Sequence, residues 1–285
     1  MRSEELELKM RRGEYFHSLR IPEGMWFVVR LDGRGFTKLT NEGGFKKPFD
    51  DEFNKYMMQT ASRCMTEFQG IFATTHSDEI SILFSPTTDF FDREVEKIVS
   101  TTAAFSSVCF SSIIKNQGTF DSRIWMGATV KDVVDYYSWR AEDAVRGAIN
   151  SYTYWALRQE RNMTKRQATK MLLKRGFAWK NEFLFQEFGV NFNETPAKYR
   201  RGVGCYWELR EKMGFNPIKE EKVKTLRRIL HIEDNLPMKD SFRDWLTTNL
   251  RLITSISNIR NAFTCDVKQW NFGEGKPQEE EPHHH

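Results

Sequence analysis

The sequence predicts an α+β fold: a ferredoxin-like β-α-β-β-α-β unit followed by a helical, basic C-terminal region. Three observations carry that prediction. Two β-branched and apolar runs, Ile71 to Thr75 and Ile80 to Phe84, flank a polar turn and read as a β-hairpin. Phe53, Tyr56, Met57, Thr60, Ala61, Cys64, Met65 and Phe68 recur at three- and four-residue steps, the period of a helix with one buried face. Beyond Asp135 the character changes, and Arg and Lys crowd a helical stretch.

The elements follow in order. Residues 1–24 predict a short helix closed by the turn Ile21-Pro22-Glu23-Gly24, and the first strand covers about 25–32. Gly33-Arg34-Gly35-Phe36-Thr37 reads as a loop whose glycines let the backbone approach a ligand. Asp50 caps the long helix and Gly70 ends it; the hairpin comes next. A second helix runs from Phe91 to about Ile114, with Val95, Ile98, Val99, Thr102 and Phe105 inward. The fourth strand lies within Phe120 to Val130, after a turn at Gly118. In this arrangement the first strand and the next one in sequence are expected at the centre of the sheet, with Asp32 beside the hairpin tip.

Residues 138–175 read as helical. Thr164 is the cap of a segment stopped at Gly176, with Arg166, Lys170 and Lys174 on one face. Residues 203–217 are mixed. Two further helices are expected at 218–230 and 241–256, the second with Ser241 and Asp244 as a capping box and Phe242, Trp245, Leu246 and Leu250 as its stripe. This divides the chain into a first α+β unit, 1–134, a basic, mainly helical part, 135–217, a helical extension, 218–272, and a disordered tail, 273–285, whose terminal His283 to His285 look like an affinity tag.

At 285 residues the chain can bury a substantial core, and 39% hydrophobic with 29% charged residues fit a soluble globular protein. No run is expected to reach the about 18 apolar residues that cross a bilayer. Glu4, Glu5 and Glu7 speak against a targeting peptide, so a cytoplasmic protein is expected. Cys64, Cys109, Cys205 and Cys265 are too scattered for a metal pair and read as reduced thiols. With only His17, His76 and His231 inside the chain, a zinc site or a Ser-His-Asp triad has little material. The net charge of +4 is uneven: Arg158, Arg161, Lys165, Arg166, Lys170, Lys174, Arg175 and Lys180 crowd one stretch, and Lys198, Arg200, Arg201 and Arg210 another. Such patches suit a polyanion, or else form a solvated helix face.

The chemistry is expected at Asp32, which ends the first apolar run, and at Asp78 and Glu79, on the hairpin tip. Converging carboxylates repel, and a divalent cation relieves them. This points to two-metal nucleotidyl transfer, with Asp32, the Gly33 carbonyl and Asp78 as metal ligands and Ser77 on phosphate. Glu79 either ligates as well or is turned to the opposite face by strand alternation. Arg34, Lys47, Arg93 and Lys97 are candidates for a triphosphate; Arg93 and Lys97 have Glu94 and Glu96 nearby as alternative partners. His76 reads as a packed hairpin residue, and Asp121 as a cap or a partner of Arg123. A nucleotide cyclase and a non-catalytic RNA-binding module are the rival functions.

Arg30-Leu31-Asp32-Gly33-Arg34-Gly35-Phe36, Lys47-Pro48-Phe49-Asp50, His76-Ser77-Asp78-Glu79, Ser138-Trp139-Arg140 and Lys180-Asn181-Glu182 together resemble the tRNA-His guanylyltransferase superfamily over roughly residues 1–215. The resemblance implies a palm-type catalytic domain, like those of polymerases and nucleotidyl cyclases. It also implies nucleotide addition to RNA 5′ ends with two Mg²⁺ ions, ATP and GTP or other NTPs as substrates, tRNA as partner and a homotetramer. It assigns metal to Asp32, Gly33 and Asp78, and nucleotide to Asp32, Gly33, Arg34, Gly35, Phe36 and Thr37 with Ser77 and Asp78. Asn181, Asn191, Arg200 and Arg201, grouped with Asn150 and Lys180, fall to nucleotide activation or RNA handling, and the basic helix with Arg166, Lys170 and Lys174 to tRNA. Where the eukaryotic enzymes carry His-Ile-Asn-Asn-Leu-Tyr-Asn, this chain reads Val145-Arg146-Gly147-Ala148-Ile149-Asn150-Ser151. In that it is similar to the bacterial-type branch, which implies templated 3′-to-5′ repair of tRNA 5′ ends, with addition of a −1 G to tRNA-His as the alternative.

Overall fold

A computed structural model describes residues 3–216 and 221–257. Helix α1, Ser3–Arg11, buries none of its side chains. Strand β1, Trp26–Arg34, alternates Phe27, Val29 and Leu31 into one core and Val28 into another. Its end and helix α2, Phe36–Glu42, take up most of the expected 33–37 loop. The hinge between them is Gly35, at a φ of 73° that a side chain would strain. Helix α3, Asp51–Glu67, starts where the Asp50 carboxylate accepts the amides of Glu52 and Phe53 at 2.8 and 3.0 Å.

Strands β2, Phe72–His76, and β3, Glu79–Phe84, form the hairpin, with Ser77 and Asp78 as its turn. Helix α4, Val95–Ile114, starts four residues later than expected, because Phe91, Asp92 and Arg93 hold positive φ. Its composition and length would suit a bilayer crossing, contrary to the expectation that no run does. Here its inward side chains, Ile98, Thr102, Ser106, Cys109 and Phe110, are buried. Strand β4, Thr119–Gly127, completes the first unit.

Helix α5, Val130–Gln159, opens with a Thr129–Asp132 capping box and runs for 30 residues, so the boundary expected at 134/135 falls inside it. Helix α6, Lys165–Leu172, is capped by Thr164 as expected; Gly176 does not stop it but precedes helix α7, Phe177–Phe188. After the short helix α8, Ala197–Arg201, come strands β5, Val203–Asn216, and β6, Glu221–Glu233. The helix expected at 218–230 is therefore wrong where it is described. The backbone of β6 pairs with β5 from Gly204 to Asn216, and this pairing outweighs the helix preference of Lys222, Lys224, Leu226, Arg227 and Arg228. Helix α9, Lys239–Ser257, begins before Ser241, which puts the expected capping box inside it. The remainder of the expected extension, 258–272, and the 273–285 tail lie outside the described residues, as does Cys265.

The strands make one six-stranded antiparallel sheet in the order β4-β1-β3-β2-β5-β6. Helices α3 and α4 cover one face, and α5 with α9 the other, through Val133, Tyr137, Phe242 and Leu246. The neighbours of β1 are β3 and β4, not the next strand in sequence. Asp32 meets the hairpin turn through β3. Cys64, Cys109 and Cys205 are buried and make no disulfide among the described residues.

Candidate active site

Antiparallel register sets Asp32 directly opposite Glu79 on β3 and Asp121 on β4. Residues so paired share a face of the sheet, which lines up three carboxylates at one end of it. Two of them are neutralised. The Arg140 guanidinium donates to both oxygens of Glu79, at 2.8 and 2.5 Å, and Arg123 reaches Asp121 at 3.1 Å. Glu79 is thereby engaged by α5, rather than standing free in the catalytic set in which the sequence reading places it. Asp32 and Asp78 make no ion pair among the described residues.

The turn is fastened to β1 where the Gly33 amide donates to the Asp78 carbonyl at 3.0 Å. A Cβ at Gly33 would stand 2.7 Å from the Phe36 ring, which is part of the core; only glycine lets α2 fold beneath the strand end. Burial pushes the Asp78 carboxyl up from its ordinary value, and the charges of Asp32 and Glu79 push the same way, against hydrogen bonds from the Ser77 hydroxyl and from its own backbone. Two uncompensated carboxylates beside a backbone carbonyl are an all-oxygen donor set that suits Mg²⁺. Among the described residues no group of three or more His, Cys, Asp or Glu is placed to hold a metal ion by itself; a cation held by two carboxylates completes its shell with water and phosphate.

Ser77 and Asp78 open into a cleft of about 180 Å³ lined also by Thr37, Lys47, Ser151 and Trp155. Lys47 Nζ donates to Thr40 Oγ1 at 2.6 Å and lies 5.6 Å from the Trp155 ring; burial pulls its pKa down, with Asp50 opposing. Phe49 stacks on Tyr199 at 5.1 Å, and the Tyr199 hydroxyl and Lys198 both donate to Asp51, closing the cleft's wall. His76 donates through Nε2 to the Tyr199 carbonyl at 3.0 Å; burial holds it below the usual imidazole range. Arg34, at the exposed end of β1 opposite Thr119, lies outside the cleft lining.

Arg93 and Lys97 stand elsewhere. Arg93 is buried 5.1 Å from the Phe27 ring and donates to the carbonyls of Ile21, Pro22, Met25, Pro86 and Thr88 at 2.6–3.1 Å. Lys97 pairs with Glu94 at 3.0 Å. Both belong to the Phe27 end of the sheet, and the triphosphate role expected of them is corrected on that ground.

The RNA candidates differ in exposure and in the partners they already hold. Arg166 and Lys170 are exposed on α6, but Lys174 lies past its end at a φ of 60°, off the helical face expected for it. Lys170, Met171, Leu173, Lys174 and Arg175 line an open groove of about 540 Å³. Lys180 on α7 donates to Asn150 on α5, and Asn181 is half-buried beside it. Asn191 caps a 3-10 turn, accepting the Asn193 amide at 3.1 Å. Arg200 is buried with Nε on the Thr195 carbonyl at 2.8 Å, and Arg201 donates to Asn235 at 3.0 Å. Sequence reasoning gives no role to Trp155, Tyr199 or Arg140. For the first two no local pattern signals a cleft wall; Arg140 stands in the Ser138-Trp139-Arg140 segment that carries part of the family resemblance.

Two family profiles match the chain: one described as tRNAHis guanylyltransferase over residues 8–128, and one described as Thg1 C terminal domain over residues 131–238. A tRNA(His) guanylyltransferase of Debaryomyces hansenii is 34% identical over 224 residues, covering 73% of this chain and 84% of its own. A probable tRNA(His) guanylyltransferase of Drosophila melanogaster is 34% identical over 205 residues, with 67% and 72% covered. Among solved structures, a bacterial tRNA(His) guanylyltransferase (Thg1)-like protein in complex with ATP superposes with a TM-score of 0.68 at 24% identity, over 85% of this chain and 97% of that one. The tRNA(His) guanylyltransferase of Saccharomyces cerevisiae gives 0.62 at 24% identity, over 75% and 94%. At these identities the structural likeness speaks for the fold.

Proposed function

The chain belongs to the tRNA-His guanylyltransferase family and is a nucleotidyltransferase; from that premise we propose that it adds a guanylate to the 5′ end of tRNA-His. One observation carries the chemical part: Asp78 stands without an ion-pair partner in a cleft that also holds Ser77 and Lys47, and the charge of Asp32, at the end of β1, bears on it. The β-α-β-β-α-β run of the first four strands, in the order β4-β1-β3-β2, supports a palm-type, ferredoxin-like catalytic unit.

In this reading a 5′-phosphate oxygen of the RNA attacks the α-phosphorus of ATP and expels pyrophosphate. The 3′-hydroxyl of GTP then attacks the activated 5′-phosphorus, AMP leaves with the bond electrons, and the hydroxyl proton passes to solvent. Lys47, the Ser77 hydroxyl and the amides opening α2 hold the triphosphate, since the first turn of a helix leaves its N–H groups free for anions. Asp32, Asp78 and the Gly33 carbonyl would hold Mg²⁺, which when bound supplies Lewis acidity to nucleophile and leaving group. The exposed cations of α6 attract the tRNA backbone. A homotetramer and a cytoplasmic setting are proposed on the resemblance and on the N-terminal acids; light scattering tests the first, fractionation the second.

The names of the relatives favour guanylate addition over the templated 5′-end repair that the sequence reading prefers. The stretch Val145-Arg146-Gly147, which lacks the eukaryotic histidine, keeps templated extension as a second reading. Two 5′-monophosphorylated substrates, mature-length tRNA-His without its −1 G and another tRNA lacking its first nucleotide, incubated with ATP, Mg²⁺ and all NTPs, separate the two. A single G on tRNA-His supports the first reading. Restoration of the missing templated nucleotide on the second substrate, with no G on the first, supports the other. A cyclic nucleotide formed without RNA, or magnesium-indifferent RNA binding with no extension, would overturn both.

A further inference from the structure

Arg140 grips an acid next to the Asp32–Asp78 site, and its geometry is unlike that of a surface ion pair. Its Nε and Nη2 hold the two oxygens of Glu79, and the same Nη2 reaches Asp143 at 2.9 Å. The side chains of Arg140 and Glu79 are only 15% and 19% exposed. A planar fork fixes the orientation of a carboxylate as well as its charge. A second hand comes from β3 itself: the Ser81 hydroxyl donates to Glu79 Oε1 at 3.3 Å and shares a 3.0 Å hydrogen bond with the hydroxyl of Tyr136, which stands on α5 one turn before Arg140. Glu79 follows Asp78 in the chain, lies across from Asp32, and its charge already bears on Asp78. Freed from α5, it would be a third carboxylate facing the other two.

We propose that Arg140 is a positioning residue for the acid site: it withholds Glu79 from the cation set and anchors the Ser77–Asp78 turn to α5, so that Asp32 and Asp78 are the only carboxylates that would hold the cation. The inference rests on the nucleotidyl-transfer reading above. It has a signature that a merely structural role lacks, because removing Arg140 adds a ligand while spoiling the geometry.

The test titrates the intact protein with Mn²⁺ alone, read by electron paramagnetic resonance without nucleotide, alongside steady-state kinetics. Arg140→Ala is expected to bind Mn²⁺ about tenfold tighter, since affinity rises with ligand charge. Its kcat is expected to fall about a hundredfold through misplacement of the turn, with KM for GTP little changed. Arg140→Ala combined with Glu79→Gln removes the pair without changing net charge and returns Mn²⁺ affinity to near the wild-type value. Arg140→Lys, which keeps the charge and loses the fork, falls between wild type and Arg140→Ala and carries the test if the alanine variant does not fold. Mn²⁺ affinity and kcat falling together with the melting temperature would overturn the proposal, as would no change in either. Asp78→Ala binding Mn²⁺ as tightly as wild type would instead sink the cation-site reading beneath it, an outcome distinguishable from the other two.

Discussion

At the Trp26 end of β1, the Arg93 guanidinium lies under the chain with its hydrogens distributed over five backbone carbonyls. At the other end, five residues or about 17 Å along the strand from Phe27, the charges of Asp32 and Glu79 bear on Asp78, which hydrogen bonds from Ser77 and the backbone offset only in part. The two ends of one strand thus border a charge whose every demand is met by the protein and a carboxylate pair that has no ion-pair partner among the described residues. A buried charge is tolerated when it is hydrogen-bonded and costly when it is not. The satisfied end serves stability. The unsatisfied end persists at a cost to the free protein, and a bound cation with its nucleotide would relieve that cost.

The largest expected effect tests the unsatisfied end. Asp78→Ala should lower turnover by at least about a thousandfold while the circular-dichroism spectrum and tRNA binding stay near wild type; substantial activity under saturating Mg²⁺ would erase the contrast. At the satisfied end, Arg93→Ala should cost about 3 kcal/mol of stability in denaturant melts, because several buried carbonyls lose their donor. Turnover per folded molecule should hold. A selective rise in KM for nucleotide would return Arg93 to the triphosphate.

A smaller effect sharpens the same comparison. The Asp78 carboxyl is pushed up from 3.8 in the folded chain, so its ionised form weighs against folding at neutral pH. Without divalent cations, Asp78→Asn should melt a few degrees higher than wild type at pH 7. This advantage should shrink as pH falls through the raised value and vanish below 3.8, where the folded and unfolded carboxyls are both protonated. Added Mg²⁺ should raise the wild-type midpoint and leave the variant unmoved; calorimetry reads both, and a wild-type midpoint indifferent to Mg²⁺ counts against the site.

The smallest effect lies outside β1. Replacing Arg166 or Lys170 on α6 by Ala should reduce the slope of log K for tRNA against log salt by about 0.9 for each phosphate the protein no longer neutralises. The single-turnover rate at saturating tRNA should stay the same. An unchanged slope would leave α6 a solvated face.

Much of this architecture is legible locally. The hairpin shows in two β-rich runs around Ser77 and Asp78, and α3 in its stripe and its Asp50 cap, because both signals lie within a few residues of chain. The β5–β6 ribbon is hidden over 218–230, where short-range composition favours a helix and only the partner strand decides otherwise. Arg93 and Arg140 show the same limit in side chains. Both read as cations in sequence; one proves to hold backbone carbonyls, the other a carboxylate across 61 residues of chain.

By itself the sequence determined the acids, the glycines beside them and the periodic elements that carry them, since each depends on residue chemistry and spacing along the chain. Only the tertiary structure decided which charges were neutralised. Register set Asp32 against Glu79 through β3, and packing of α5 brought Arg140 to Glu79 and not to Asp78. Pairing of charges is a property of distance in space, and a folded chain sets those distances only when every element is in place.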